Sequence, residues 1–309
     1  MNRFPFSRLF ASFLSSALLA GASMAAADDL PSRAPIWKLT DKDSSVYLAG
    51  SVHLLREKDL PIPAAFDLVY EKADELVFEI DMKTMMDPAT AVKLAELGTL
   101  PEGETLSEKL PEEVMNKLTT YLEQVGMPTA IFDRFSPGMA FITLGSIEAV
   151  RSGANPELGL ESTYYQKCLQ DNKPSRGLET AEYQISRFNE IKVETIAELI
   201  EVTLDDAEIG SAALDEIVSA WKSGDPEKIA ELVVSKMEEH PEVKRILLTE
   251  RNCNWIPKIE KALAGEKTVL FLVGAAHLAG EDSVIDMLEK KGYQPRQVEA
   301  KAALKALAK

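Results

Sequence analysis

The chain is short of the residues that most often mark a chemistry. Its 309 residues include only two cysteines and three histidines. Cys168 and Cys253 are spaced unlike a paired-thiol motif, which excludes a zinc ribbon or a thioredoxin-like centre. In an oxidising compartment the two could instead form one disulfide, and the sequence leaves that open. No phosphate loop, Gly-x-Ser-x-Gly elbow or Cys-x-x-Cys pair is present. Basic residues are also scarce: 34 Lys and Arg stand against 50 Asp and Glu, for a formal net charge of −16. Without a basic footprint the chain is not expected to bind nucleic acid. The acidity reads as solubility.

What is present begins with a leader. The segment MNRFPFSRLFASFLSSALLAGASMAAADDL has a cationic start at Arg3 and Arg8, an apolar run from Leu9 to Ala22 and small residues before Asp28. This is the pattern of a signal peptide over residues 1–27, cut near Ala25 to Ala27. A membrane anchor is the alternative, but the run is interrupted by serines and falls short of the roughly 18 to 20 apolar residues a spanning helix needs. No second long apolar stretch follows, so no transmembrane segment is expected in the mature chain. The protein is expected to be exported, and periplasmic or secreted after cleavage. Residues 28–309 suffice for one large domain or two small ones with a substantial core.

Within them, Ile36 to Thr40 and Ser45 to Gly50 are apolar runs around a polar turn, the pattern of a β-hairpin. Phe66, Val69, Tyr70 and Ala73 have helical spacing, with Pro61 and Pro63 suited to a first turn. Glu75 to Asp81 reads as a short buried strand. From about residue 82 to 266 the chain has mostly helical period, interrupted by a short strand at Pro174 to Glu179. A strand returns at Lys267 to Gly274, followed by a helix from Glu281 to Lys291 and a last strand from Tyr293 to Glu299. The expected fold class is α/β: a mixed central sheet built from two related strand, Gly-x-x-His, helix halves, flanked by helices and carrying a largely helical middle insertion.

The repeated feature is Gly50-Ser51-Val52-His53 and Gly274-Ala275-Ala276-His277, each ending an apolar strand. Strand ends are where open α/β sheets place their ligand sites, and glycine lets the backbone bend and a substrate come close. Glu79 lies inside an apolar strand, where a carboxylate must be paired, protonated or bound to a cation unless its face is half exposed. His53, Glu79 and His277 together suit a divalent transition ion with positions open to water or substrate, so hydrolysis is the natural outcome. Arg251 and Asn252 could hold a carboxylate or a developing oxyanion, against a surface ion pair of Arg251 with Glu250 or Glu242. Glu179 is a second ligand, a base, or simply a partner for Arg176 or Arg187. His240, at the end of a helix, reads as a cap.

Taken in order, these segments resemble the TraB/GumN family, which is related to the Tiki metalloproteases of animals and more distantly to erythromycin-esterase-like proteins. The resemblance rests on Pro35 to Leu39, Tyr47 to Leu55, Val77 to Asp81, Gly177 to Thr180, Glu250 to Asn252 and Phe271 to Gly280. It implies an α/β fold with a duplicated core sheet, in one family-type domain over 28–309. It places His53, Glu79 and His277 at the metal and catalytic positions, and Glu179, Arg251 and Asn252 at the other polar signature positions. Where many relatives have Gly-x-Asp before the middle helix, this chain has Gly159-Leu160-Glu161. The leading expectation is a metal-dependent hydrolase, a peptidase using a divalent ion such as Mn²⁺, Co²⁺ or Zn²⁺ on a peptide or small-molecule substrate. The alternatives are an envelope protein that sequesters a peptide or small ligand without turnover, and a metal-independent, esterase-like hydrolase with a histidine as base.

Overall fold

In a computed structural model of the protein, residues 33–205 and 210–299 are described; the leader expected over 1–27 lies outside them. The hairpin forms as its alternation requires. β1 (Arg33–Thr40) and β2 (Ser45–Ser51) pair antiparallel around a turn closed by Asp41 N–H on the Ser44 carbonyl. β3 (Glu75–Ile80), β4 (Ser175–Glu179), β5 (Thr268–Gly274) and β6 (Arg296–Glu299) complete a six-stranded mixed sheet in the order β4-β3-β5-β2-β1-β6. The four strands from β4 to β2 are parallel, and β1 and β6 are antiparallel additions at one side. The architecture is α/β.

β5 explains why its sequence is a continuous apolar run. It sits between two parallel neighbours with helices on both faces, so both sets of its side chains are buried. Leu270 and Leu272 join one apolar layer, with the helices Ala65–Lys72, Leu160–Asp171 and Gly210–Ser223. Val269, Phe271 and Val273 join the other, with the helices Glu250–Leu263 and Val284–Lys290. A third apolar cluster lies among the helices Glu112–Gln124, Pro137–Arg151 and Val193–Asp205. Apart from β4, the described residues of the stretch expected to be helical contain no further strand of the sheet.

Three local expectations change. The helix expected to take Pro61 and Pro63 into its first turn begins later, at Ala65, because Pro63 instead accepts from Phe66 N–H in the turn that leads into it. The last strand begins at Arg296, after the turn that follows the helix Val284–Lys290. Cys168 and Cys253 are both free. Cys168 is buried in the first apolar layer, whereas Cys253 is exposed on the helix that covers the opposite face of the sheet.

The pairing of β2 with β5 is what positions the site. It is parallel and matches Gly50 with Val273 and Ser51 with Gly274, so both Gly-x-x-His turns leave the sheet side by side at its carboxyl edge. A β-carbon on Gly50 would stand 3.1 Å from the Ala275 α-carbon, so this close approach of the two turns leaves little room for a side chain. The Gly50 carbonyl accepts from the buried Trp221 indole at 2.8 Å. Trp221→Phe removes that donor, and losing this buried hydrogen bond is expected to cost about 0.5–1.5 kcal/mol. Urea unfolding checks this: an unchanged midpoint would show that Trp221 does not hold the end of β2.

Candidate functional site

The two histidines leave neighbouring strands but meet different surroundings. His277 lies in a short 3₁₀ turn, Ala275–Leu278, and is buried, its ring 4.4 Å from that of Trp255. His53 is 60% exposed at its side chain. Both rings are held through Nδ1. His53 Nδ1 lies 2.9 Å from Glu161 Oε1, which also accepts from the Ser51 hydroxyl. His277 Nδ1 lies 2.6 Å from Asn252 Oδ1.

The hydrogen bonds around His277 define its protonation. The Asn252 amide nitrogen donates to the Asp282 carbonyl at 2.8 Å, so its oxygen faces the ring and must accept from Nδ1–H. On the other side Arg251 Nη1, which can only donate, lies 3.2 Å from Nε2. His277 is therefore the neutral, Nδ1-protonated tautomer. Burial, reinforced by the Arg251 charge, lowers its pKa to about 3. His53 is displaced the other way, because the Glu161 carboxylate favours its protonated form. Water at the exposed ring moderates that attraction.

Glu79 is buried at the end of β3, where its position in an apolar strand demands a partner. The partner is Arg251. Its Nη2 lies 2.6 Å from Glu79 Oε2 and 2.8 Å from Glu179 Oε2, while Nε donates to Glu179 Oε2 at 2.9 Å. Nη1 donates to the Leu247 carbonyl at 3.1 Å and approaches His277, so each nitrogen of the guanidinium has an acceptor. Leu247 belongs to a π-helical turn, Arg245–Thr249, just before the helix that carries Arg251. The Arg251 charge also sits 5.0 Å over the Trp255 ring. These contacts replace the surface pairing of Arg251 with Glu250 or Glu242 that the sequence had suggested. Glu250 instead contacts Arg187 and Arg245.

Burial alone would push the Glu79 carboxyl up. Arg251, together with the Gly274 N–H that donates to Oε1 at 2.6 Å, holds it well below the usual carboxylate range. The neighbouring His277, being neutral, leaves Arg251 as the chief charge responsible, with His53 adding to it. Glu179 pairs with Arg251 rather than with Arg176 or Arg187, and its side chain is 3% exposed. Gln184 donates to Glu79 Oε2 and Glu179 Oε2 at 3.2 Å each. Glu179 Oε1 is buried with no hydrogen-bond partner among the described residues.

Gly274 lies where the two halves converge. A β-carbon there would stand 3.2 Å from Glu79 Oε1, 3.4 Å from His53 Nε2 and 3.6 Å from the His277 ring. His53, Glu79 and His277, grouped by the sequence, are thus neighbours in space, with Glu179, Arg251 and Asn252 around them. Among the described residues, however, no three His, Cys, Asp or Glu side chains are arranged to hold a metal ion. The physical reason lies in Arg251, which is already the cation between the two carboxylates and against His277 Nε2.

Sequence reasoning missed several members. It noted Glu161 only as a departure from a family pattern, yet Glu161 is what holds His53. It reaches there because the backbone of 155–160 docks on the turn after β2: Asn155 N–H donates to Leu55, and Leu160 N–H to Val52. Gly159 allows that docking, since a β-carbon would fall 2.0 Å from the His53 carbonyl oxygen. An acid in the first turn of a helix is common for capping reasons, so its identity carried no distinct signal. Ser51 and Gln184 gave none. His240 does not end the helix Ser235–Glu238, whose C-cap is Glu239; it stands at the start of the next one, Pro241–Lys244, makes no side-chain cap there, and lies 3.6 Å from Glu198.

A profile of the TraB/PrgY/gumN family matches residues 35–297. The chain is similar to the Uncharacterized protein YbaP of Escherichia coli (strain K12), with 26% identity over 242 residues that cover 78% of this chain and 87% of YbaP. It is also similar to Metalloprotease TIKI1 of Danio rerio, 23% identical over 312 residues covering 84% of this chain and 62% of the relative. Metalloprotease TIKI2 of the same fish is 23% identical over 302 residues, covering 80% and 57%. The chain therefore spans only about three fifths of the TIKI proteins it matches. No solved structure matches.

The tautomer assignment is directly measurable. In ¹⁵N-edited imidazole spectra of chelator-treated protein, His277 is expected to show a protonated Nδ1 and an unprotonated Nε2 at neutral pH. A protonated Nε2 would overturn the arrangement around Arg251.

Proposed function

The chain belongs to the TraB/PrgY/gumN family, and from that premise we propose that it is a hydrolase, working as a metal-dependent peptidase on exported or envelope peptides. The observation that carries this reading is the convergence of His53 Nε2, Glu79 Oε1 and the His277 ring on the bare α-carbon of Gly274. A glycine facing three such groups leaves room for something other than a side chain. The TIKI relatives are named metalloproteases, which supports the class of chemistry and no particular ion.

The donor chemistry fits a divalent ion. His53 and His277 are both anchored through Nδ1, the arrangement that orients a metal-binding imidazole and fixes its tautomer. His53, Glu79 and His277 are the residues that would hold the ion. The chemistry such an ion would supply is polarisation of a carbonyl and acidification of a water.

The remaining roles follow from hydrogen-bond occupancy. Both oxygens of Glu79 are engaged, whereas Glu179 Oε1 has no partner, so Glu179 takes the proton at Oε1. Asn252 keeps His277 in the tautomer with an open Nε2. Arg251 balances the two carboxylates. A purely sequestering protein would instead need Arg251 to capture a ligand carboxylate, and its N–H groups are already committed. We place the activity outside the cytoplasm on the strength of the leader sequence; among the described residues no helix is long and apolar enough to cross a membrane.

Two measurements on protein purified without chelator test the proposal. Elemental analysis is expected to find a transition metal that is lost from the His53→Ala, His277→Ala double variant; equal content in both would remove the metal. Incubation with a diverse peptide library and Mn²⁺, Co²⁺ or Zn²⁺ is expected to give cleavage that disappears in His53→Ala. Cleavage that persists in that variant, or none from the wild type, would contradict the peptidase reading.

A further inference from the structure

The Arg251 guanidinium divides its contacts. Nε donates to Glu179 Oε2 at 2.9 Å and Nη2 to Glu79 Oε2 at 2.6 Å, so these two nitrogens complete the charge balance of the buried acids. Nη1 is bonded to neither carboxylate. It donates to the Leu247 carbonyl in the π-helical turn Arg245–Thr249 and lies 3.2 Å from His277 Nε2. A countercharge alone does not require that second pair of contacts. Consecutive residues of one helix thereby hold both nitrogens of His277, Nδ1 by Asn252 Oδ1 at 2.6 Å and Nε2 by Arg251.

The contact at Nε2 matters because of what an imidazole can offer. With Nδ1 protonated towards Asn252, the ring keeps a single in-plane lone pair, at Nε2, and Arg251 Nη1 lies against it. A carboxylate oxygen has two lone pairs, so Glu79 Oε1 accepts from the Gly274 N–H and retains another. At His277, by contrast, the one atom able to bind an ion is already occupied. Arg251 and His277 are both buried, so the positive charge standing there is poorly screened by water.

From these observations we propose that Arg251 sets the affinity of the site for divalent cations: the guanidinium and an ion exclude each other at the single lone pair of His277 Nε2, which serves one or the other. On the metal-dependent reading of the site, on which this rests, Arg251 thereby becomes an affinity determinant that is not itself a ligand. Its hold on His277 is anchored. The Leu247 carbonyl takes Nη1 at 3.1 Å, and the guanidinium sits 5.0 Å over the Trp255 ring. A guanidinium that served only as a countercharge would leave ion affinity unchanged once its charge is balanced, and that difference separates the two roles.

The test keeps the charge of the cluster constant. Wild type sets two carboxylates against one guanidinium, and the Arg251→Met, Glu179→Gln variant keeps Glu79 alone, with the same net charge. Chelator-treated proteins are titrated with Zn²⁺ in competition with a chromophoric chelator. The variant is expected to bind about tenfold more tightly than wild type or better, the scale of one hydrogen bond from a charged donor. Adding His277→Ala should abolish the gain. Equal affinity of wild type and variant would overturn the proposal and leave the metal-dependent reading standing; a gain that survives His277→Ala would overturn it too. Binding of Zn²⁺ by neither protein would overturn both. A second measurement needs no variant: in ¹⁵N spectra of wild type, the Arg251 guanidinium signals are expected to change in step with His277 Nε2 as Zn²⁺ is added. Arg251 signals that stay fixed while His277 Nε2 takes up Zn²⁺ would contradict the exclusion.

Discussion

The site depends on one ion cluster, the Arg251 guanidinium held between Glu79 and Glu179. Two carboxylates this deeply buried carry a large desolvation cost, and leaving either without its cation would be strongly destabilising. Arg251 meets that need while touching four parts of the chain: β3 through Glu79, β4 through Glu179, the turn after β5 through His277, and its own π-helical approach through Leu247. It therefore joins the ends of the parallel strands to the helix covering them. Glu79 extends the link by accepting from the Gly274 N–H.

On this frame the two Gly-x-x-His turns become a matched pair. Parallel register between β2 and β5 sets them level, and each imidazole is fixed at Nδ1 by an acceptor from elsewhere in the chain, Glu161 for one and Asn252 for the other. Their environments then separate them. His277 is kept neutral by burial beside a cation, whereas His53 faces water and a carboxylate that favours its charge. One buried neutral imidazole and one exposed, readily protonated imidazole on either side of a bare glycine is an arrangement suited to binding and proton transfer at a single point.

Much of this was legible in the sequence where local patterns carry the information. The apolar runs ending at Gly50 and Gly274 identified both strands, and the acid within Val77 to Ile80 stood out as one that needs a partner if its face is buried, a choice the sequence left open. The pairing of distant parts was not legible. Nothing near Arg251 marks it as a partner of Glu79 rather than of the adjacent Glu250, because helical neighbours are always available and the choice is made by tertiary packing. Glu161 was visible but unassigned, since its role depends on the loop from Asn155 to Leu160 docking on the turn after β2. The two cysteines were equally undetermined until the sheet placed them over opposite faces.

The central claim is that Arg251 is the built-in countercharge of Glu79. A double-mutant cycle with Glu79→Gln, Arg251→Met and the double variant, read by urea unfolding, tests it most directly. Arg251→Met strands the buried Glu79 and Glu179 together and is expected to cost about 3–5 kcal/mol, whereas adding Glu79→Gln relieves one of the two stranded carboxylates, so the double variant should be more stable than the sum of the single losses implies. Single losses that simply add, with no coupling between the two positions, would contradict the account.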